Sequence, residues 1–144
     1  MKLGLDIHGV IDSNPESFAF LSQSVLAAGG EVHIITGGSW TPELESLVRD
    51  SGVAWTAAFS VYDYLVDSGV GSIGKIRFPD GTIQDKFDSD LWDSIKGGYC
   101  KYKEIDLHID DTESYAKYFT TPFLLYKSSS DFEKISHMDI RKHM

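Results

Sequence analysis

Apolar residues follow two patterns along this chain, short continuous runs and helical spacings, and the two patterns alternate. The runs at residues 2–7 and 31–36 stop at glycines, which predicts buried strands. Between them, residues 15–28 carry apolar side chains three to four positions apart, as on one face of a helix. Continued to residue 126, this alternation predicts a parallel sheet with helices on both faces. The further predicted elements are helices at 41–50, 61–66, 90–105 (interrupted at Gly97-Gly98) and 113–119, and strands at 53–59, 107–109 and 122–126.

One segment departs from this alternation. Residues 75–78 and 82–84 flank Pro79-Asp80-Gly81, which is a strong turn signal. The sequence therefore predicts a small β-hairpin at about residues 73–86, within a single domain that spans residues 1–144.

Composition limits the class of protein. The chain has 144 residues, of which 42% are hydrophobic, enough for one compact domain with its own core. Cys100 is the only cysteine, so a disulfide scaffold is excluded. No apolar run approaches the roughly 20 residues of a membrane helix, and Asp6 falls where a secretory signal would continue its apolar region. We expect a cytoplasmic protein with no membrane partner.

Charge narrows the partners further. Thirteen Lys and Arg against 22 Asp and Glu give a formal net charge of −9. The densest basic patch is the short tail at Arg141, Lys142 and His143, whereas duplex binding needs a broad basic surface. We therefore expect no long nucleic acid as a partner. A single phosphate group remains compatible with an acidic protein if a metal or backbone amides supply positive charge.

Polar side chains follow three predicted strands at the point where each strand ends. Asp6 follows the first strand, Thr36 and Gly37 end the second, and Asp110-Asp111 end the strand at 107–109. Because parallel strands place their carboxyl ends at one edge, where ligands bind, these groups should converge.

The chemistry of such a set is consistent. Clustered carboxylates repel one another unless a cation lies among them, and Mg²⁺ prefers oxygen ligands and is often shared with a substrate phosphate. A carboxylate can also attack phosphorus to form an aspartyl-phosphate. The Thr36 hydroxyl and the amides around Gly37 are suited to hold phosphate oxygens, and a nearby lysine would neutralise charge.

The order of these residues resembles a known family. Asp6-x-His8-Gly9-Val10, then HIITGG at 33–38, then a lysine, then HIDDT at 108–112 resemble the four motifs of the haloacid dehalogenase-like (HAD-like) hydrolases, over nearly the whole chain. The resemblance implies a Rossmann-like three-layer α/β sandwich, normally with Mg²⁺. Only residues 38–89 offer room for an inserted cap, and much of that stretch must supply a helix and a strand, so we expect a minimal cap, the hairpin at 73–86.

The resemblance also implies roles. Asp6 falls on the nucleophile, and position 8 falls on the acid/base residue whose carbonyl also binds the metal. Thr36 falls on the phosphate binder, and Asp110 and Asp111 fall on the metal carboxylates. The lysine of the third motif matches either Lys96 or Lys101, of which we favour Lys96.

Position 8 departs from the family pattern, since the phosphatases usually carry Asp there and this chain has His8. A histidine can serve as the acid, because its ordinary pKa of about 6.5 lies nearer neutral pH than the roughly 3.9 of Asp. His8 is equally compatible with a weakened or lost activity. His33 and His108 lie within predicted strands, and we interpret them as residues of the core or of a sheet face rather than as ligands.

Two functions follow as expectations. The first is a Mg²⁺-dependent phosphomonoester hydrolase that acts through Asp6 on a small phosphorylated substrate. The alternative is a non-catalytic or weakly active relative that binds a phosphorylated ligand or partner. A phosphate-accepting receiver domain is disfavoured, because there the acidic pair comes early in the chain and here it comes late. The sequence does not indicate an oligomeric state.

Overall fold

Five parallel strands form the centre of the computed structural model of this protein, which describes residues 1–127. Two further strands pair antiparallel as a separate hairpin. In chain order, the central strands are β1 (Lys2–Leu5), β2 (Glu31–Thr36), β3 (Ala57–Ser60), β6 (Leu107–Asp110) and β7 (Phe123–Leu125), and the hairpin consists of β4 (Gly74–Arg77) and β5 (Ile83–Lys86). Across the sheet, the central strands lie in the order β3-β2-β1-β6-β7.

Helices connect the strands, and each of the four α-helices begins where a short polar side chain satisfies a free N–H group of the first turn. The Asn14, Thr41, Ser60 and Asp88 side chains each accept a hydrogen bond from the N–H three residues later. The helices are α1 (Pro15–Ala27), α2 (Pro42–Asp50), α3 (Val61–Asp67), α4 (Ser89–Tyr102) and a 3₁₀ helix at Glu113–Tyr118.

The sheet is covered on both faces. On one face Leu3 and Leu5 of β1 share a buried cluster with Phe18 of α1 and Val48 of α2. On the other face Ile35 of β2 packs with Cys100 of α4. The prediction of a parallel α/β sheet between two helical layers is therefore confirmed. Both faces are covered because successive side chains along each strand point to opposite faces of the sheet, and both sets include buried apolar residues.

Several predicted boundaries shift, and one prediction is wrong. Helix α4 runs through Gly97-Gly98 without a break. A Cβ at Gly97 would lie 2.4 Å from the Tyr118 carbonyl oxygen, so this glycine permits close packing against the 3₁₀ helix rather than ending α4. The third strand begins at Ala57 instead of residue 53. The basic tail at 141–143 lies outside the described residues.

The hairpin forms where the turn signal predicts it, with Gly74 opposite Lys86 and Arg77 opposite Ile83. Every residue of β4 is exposed. Among residues 1–127, no helix combines the length and apolar character that crossing a membrane requires.

Candidate functional site

The candidate site lies where the connections from the sheet diverge. β1 has β2 on one side and β6 on the other, so the chain leaves these neighbouring strands toward opposite edges of the sheet. In open α/β sheets, ligands bind at the carboxyl ends of the strands at such a point. Asp6 follows β1, and its N–H donates to the Ile109 carbonyl (3.1 Å), while Asp110 is the last residue of β6.

A buried lysine joins these two carboxylates. Lys96 Nζ donates to Asp6 Oδ1 at 3.0 Å and to Asp110 Oδ2 at 2.8 Å, although its side chain is only 2% exposed. It lies one helical turn before Cys100 on the buried face of α4. Lys101 is exposed. Of the two lysines that the sequence leaves open, Lys96 is therefore the one in contact with Asp6.

A buried histidine adds a further donor to the same carboxylate. His108 Nε2 lies 2.8 Å from Asp110 Oδ2, and the Thr112 N–H donates to Asp110 Oδ1 at 3.1 Å. Since an ionised carboxylate only accepts, we assign the ring proton of His108 to Nε2. Its Nδ1 has no hydrogen-bond partner within the described residues. A Cβ on Gly4 would lie 2.7 Å from that Nδ1, so the space for the ring depends on this glycine.

The pKa values of Asp6 and Asp110 are shifted in opposite directions. Burial raises the pKa of Asp6 to about 7, against the opposing effect of Lys96. Burial also disfavours ionisation of Asp110, but the His108 hydrogen bond and the Lys96 charge prevail and lower its pKa to about 2. The physical cause is that one lysine serves two buried carboxylates, and Asp110 alone has a second side-chain donor. The pKa of Lys96 is raised, since the two carboxylates outweigh its burial.

A third carboxylate completes the acidic cluster. Asp111 lies beneath the loop after β1, where a Cβ on Gly9 would come within 1.9 Å of Asp111 Oδ2. Gly9 also has a φ of 83°, so a side chain is disfavoured there on two counts. Asp6, Asp110 and Asp111 each offer an oxygen atom within 4.8 Å of the others. Three carboxylate oxygens at this spacing are a donor set that suits a hard divalent cation such as Mg²⁺.

His8 is open to solvent and bonds Asp12 rather than this cluster. Its side chain is 67% exposed, and its Nδ1 lies 3.1 Å from Asp12 Oδ2. Among residues 1–127, no hydrogen bond joins the His8 ring to the three carboxylates. The backbone of His8 nevertheless lies between Asp6 and Gly9, directly beside the cluster.

The predicted phosphate-binding segment ends β2. Thr36 is buried, and the Gly37 carbonyl accepts a hydrogen bond from the Tyr62 N–H at 3.0 Å. A Cβ on Gly37 would lie 3.3 Å from the Trp92 ring. In the part of the chain that the structure describes, neither Thr36 nor Gly37 is hydrogen-bonded to the carboxylates.

Sequence reasoning misses three residues beside the site. The strand pattern assigns His108 to the core, yet this residue bonds Asp110. The signal is available in the sequence, because residues two apart on a strand share a face. Asp12 bonds His8, and the Tyr115 ring centroid lies 5.0 Å from Lys96 Nζ. Nothing in the sequence pattern places Tyr115, since its contact depends on how the 3₁₀ helix packs on α4.

Comparison with known proteins adds no relative. No family model matches this chain, and neither does any curated protein or solved structure. The resemblance to the HAD-like hydrolases therefore rests on the order of the motifs in the sequence.

Proposed function

We propose that this chain is a single HAD-like domain that hydrolyses phosphate monoesters with Mg²⁺, through an aspartyl-phosphate on Asp6. The observation that carries the proposal is the buried arrangement of Lys96 between Asp6 and Asp110 at the divergence point of the sheet. A structural ion pair would not need two carboxylates for one lysine, and burying the excess negative charge is costly. Functional sites tolerate such costs, and strongly perturbed pKa values cluster there.

Asp6 is the proposed nucleophile. Its carboxylate attacks phosphorus, while Lys96 lies 3.0 Å from Oδ1 and would neutralise charge on the phosphoryl group. Asp6 must be ionised to attack, and its pKa of about 7 without a metal would fall beside a divalent cation. The Thr36 hydroxyl and the amides around Gly37 are the proposed phosphate-binding groups.

The metal ligands proposed are the carboxylates of Asp6, Asp110 and Asp111 and the backbone carbonyl of His8. Bound there, Mg²⁺ would neutralise charge on the transferring phosphoryl group. The mutual proximity of the three carboxylate oxygens supports this set. Asp110 would be the member that is ionised throughout the neutral pH range, since its pKa is lowered to about 2.

His8 is the proposed acid and base. Its exposed ring would face an incoming ester, donate a proton to the leaving oxygen, and later accept a proton from water. The exposed hairpin at 73–86 is the proposed minimal cap, and the substrate is a small phosphorylated molecule in the cytoplasm.

The experiment is an assay of a panel of phosphate monoesters with Mg²⁺ and with EDTA. Asp6→Asn should abolish hydrolysis, because an amide oxygen is a poor nucleophile. Asp67→Asn is the matched control, since Asp67 is an exposed carboxylate at the end of α3, and it should retain full activity. Hydrolysis that survives Asp6→Asn would exclude Asp6 as the nucleophile.

A second candidate is a non-catalytic domain that binds a phosphorylated ligand. The observation that favours it is that His8 contacts Asp12 instead of the carboxylate cluster. If the natural protein hydrolyses none of the esters and His8→Asp creates activity, the binding function is the correct one.

A further inference from the structure

The loop after β1 holds a second carboxylate–histidine pair, separate from the buried one. Asp12 Oδ2 lies 3.1 Å from His8 Nδ1, and Asp12 Oδ1 accepts the Gly9 N–H at 2.7 Å. The Asp12 N–H in turn donates to the Ile7 carbonyl at 3.1 Å. Both carboxylate oxygens and the backbone of Asp12 are thus fixed to one turn of chain.

The contact with Asp12 determines which nitrogen of His8 carries a proton. An ionised carboxylate only accepts hydrogen bonds, so the Nδ1 that faces Asp12 must be the donor. Nε2 is then the nitrogen free to exchange a proton with another molecule. An aspartate behind an imidazole fixes both its tautomer and its orientation, as in the catalytic triads of hydrolases.

The pair is also tied to the acidic cluster. Asp12 holds the N–H of Gly9, and Gly9 is the residue whose missing side chain leaves room for Asp111. One side chain therefore fixes the ring of His8 and the stretch of backbone that passes over the cluster.

We propose that Asp12 is a positioning residue, which holds His8 with Nε2 directed outward as the proton donor to the leaving oxygen. This rests on the proposed function, because it concerns the same phosphate ester hydrolysis. Asp12 itself contacts no reacting atom, and it acts only through His8.

Two steps follow, and His8 returns to its starting state at the end of the second. An Asp6 oxygen bonds phosphorus, the bond to the ester oxygen breaks, and that oxygen keeps the electron pair and takes the proton from His8 Nε2. His8 becomes neutral and retains the Nδ1 proton that it donates to Asp12. Water then bonds phosphorus and gives its proton to Nε2, and the bond to Asp6 breaks with its electron pair returning to the carboxylate.

The test compares two substrates of one chemistry. An alkyl phosphate has a leaving group that needs a proton, whereas 2,4-dinitrophenyl phosphate has one that leaves as a stable anion. Asp12→Asn keeps a carbonyl oxygen for the Gly9 N–H but presents an amide donor to His8, which favours the opposite tautomer. It should lower kcat for the alkyl ester by about 10- to 100-fold, at or below the lower end of the roughly 100- to 10,000-fold typical of general acid catalysis, because Asp12 acts only through His8. The factor by which kcat falls for the aryl ester should be at least about ten times smaller.

Four further variants separate the explanations. His8→Ala should show the same selectivity between esters, and the double variant should be no worse than His8→Ala, because Asp12 acts through His8. Asp6→Asn should lose both esters, which tests the proposed function independently. Asp67→Asn, an exposed carboxylate on α3, should change neither rate.

A spectroscopic readout needs no turnover. The ¹⁵N chemical shifts of the neutral His8 ring should show the proton on Nδ1 in the natural protein and on Nε2 in Asp12→Asn. The proposal is overturned if the proton lies on Nε2 in the natural protein, if Asp12→Asn slows both esters equally, or if neither ester is hydrolysed. If neither ester is hydrolysed, the proposed function itself is wrong, and the role of Asp12 fails with it.

Discussion

Two buried histidines, His33 and His108, lie in one row across the sheet with Gly4 between them, since Gly4 pairs with His33 on β2 and with His108 on β6. Both nitrogens of His33 have partners, the Tyr99 hydroxyl at 2.7 Å and Glu31 at 3.0 Å. His108 is fully buried, bonds Asp110 through Nε2, and has no partner at Nδ1 within the described residues.

The two rings differ in the groups to which they are hydrogen-bonded. His33 connects a strand to Tyr99 of α4 and to the partly exposed Glu31, so both of its ring nitrogens have partners. His108 leaves one atom unsatisfied, which costs free energy, and in return holds a carboxylate of the candidate site. Residue type and burial alone do not separate a core histidine from one beside a site, but the identity of the partner does.

The largest expected effect comes from removing Lys96, the positive charge that Asp6 and Asp110 share beside His108. Lys96→Met should destabilise the metal-free protein by about 3–5 kcal/mol, because it leaves two buried carboxylates without a counter-charge. Lys101→Met, on the exposed side of the same helix, should change stability by less than about 0.5 kcal/mol. Urea unfolding measures the stability of both variants, and equal losses would contradict the buried contacts of Lys96 with Asp6 and Asp110.

Variation of pH tests the same comparison, because the buried carboxylates among residues 1–127, Asp6 and Asp110, both lie at the His108 end. The pKa of Asp6 is raised from 3.8 to about 7, so its contribution to stability is complete below pH 3.8 and is lost as the pH rises through 7. Since a tenfold change in proton affinity corresponds to about 1.4 kcal/mol, the loss is at most roughly 4 kcal/mol.

Urea unfolding in EDTA at pH 5 and pH 8 checks the sign of this effect. The natural protein should lose stability toward pH 8, and Asp6→Asn should remove most of that loss. Asp110, whose pKa is lowered to about 2, acts in the opposite direction only below about pH 4. A pH dependence that is identical in both proteins would refute the assignment.

Gly4 separates the two rings, so filling it should disturb the His108 side. In Gly4→Ala the new Cβ would meet His108 Nδ1 at 2.7 Å and Ile35 Cδ1 at 2.9 Å, which predicts a loss of about 1–3 kcal/mol. Gly98→Ala is the matched control: a Cβ at this exposed position on α4 meets nothing within 4 Å, so it should stabilise by roughly 0.5–1 kcal/mol. A neutral Gly4→Ala would show that His108 is not held in this position.

Direct replacement of the two rings gives the smallest expected difference. His108→Phe keeps the aromatic packing on Phe119, where the ring centroids are 5.2 Å apart, but removes a donor from buried Asp110. His33→Phe instead removes a bond to half-buried Tyr99 and one to partly exposed Glu31. We expect a loss of about 1–3 kcal/mol for the first and about 1 kcal/mol for the second. If His33→Phe is the more damaging, the contrast between the two ends fails.

Sequence patterning determined the α/β class, the hairpin and the candidate residues. Hydrophobic periodicity indicates which stretches are strands, and the polar residues predicted at the strand ends lie there in the structure. The break expected at Gly97 was wrong because local propensity penalises glycine in a helix, whereas the tertiary contact with Tyr118 requires it.

The pairing of groups within the site needed the tertiary structure. Spacing along α4 left Lys96 and Lys101 open, and only the packing of that helix on the sheet puts Lys96 between Asp6 and Asp110. The same packing brings Lys96 beside the Asp110–His108 pair. The pKa of Asp110, which has both donors, is therefore lower than that of Asp6, which has Lys96 alone. Local patterning alone determined which chemical groups reach the edge of the sheet, because it sets where each strand ends. Which of those groups touch was decided by the burial of one helix face against another element, a contact between residues distant in the chain.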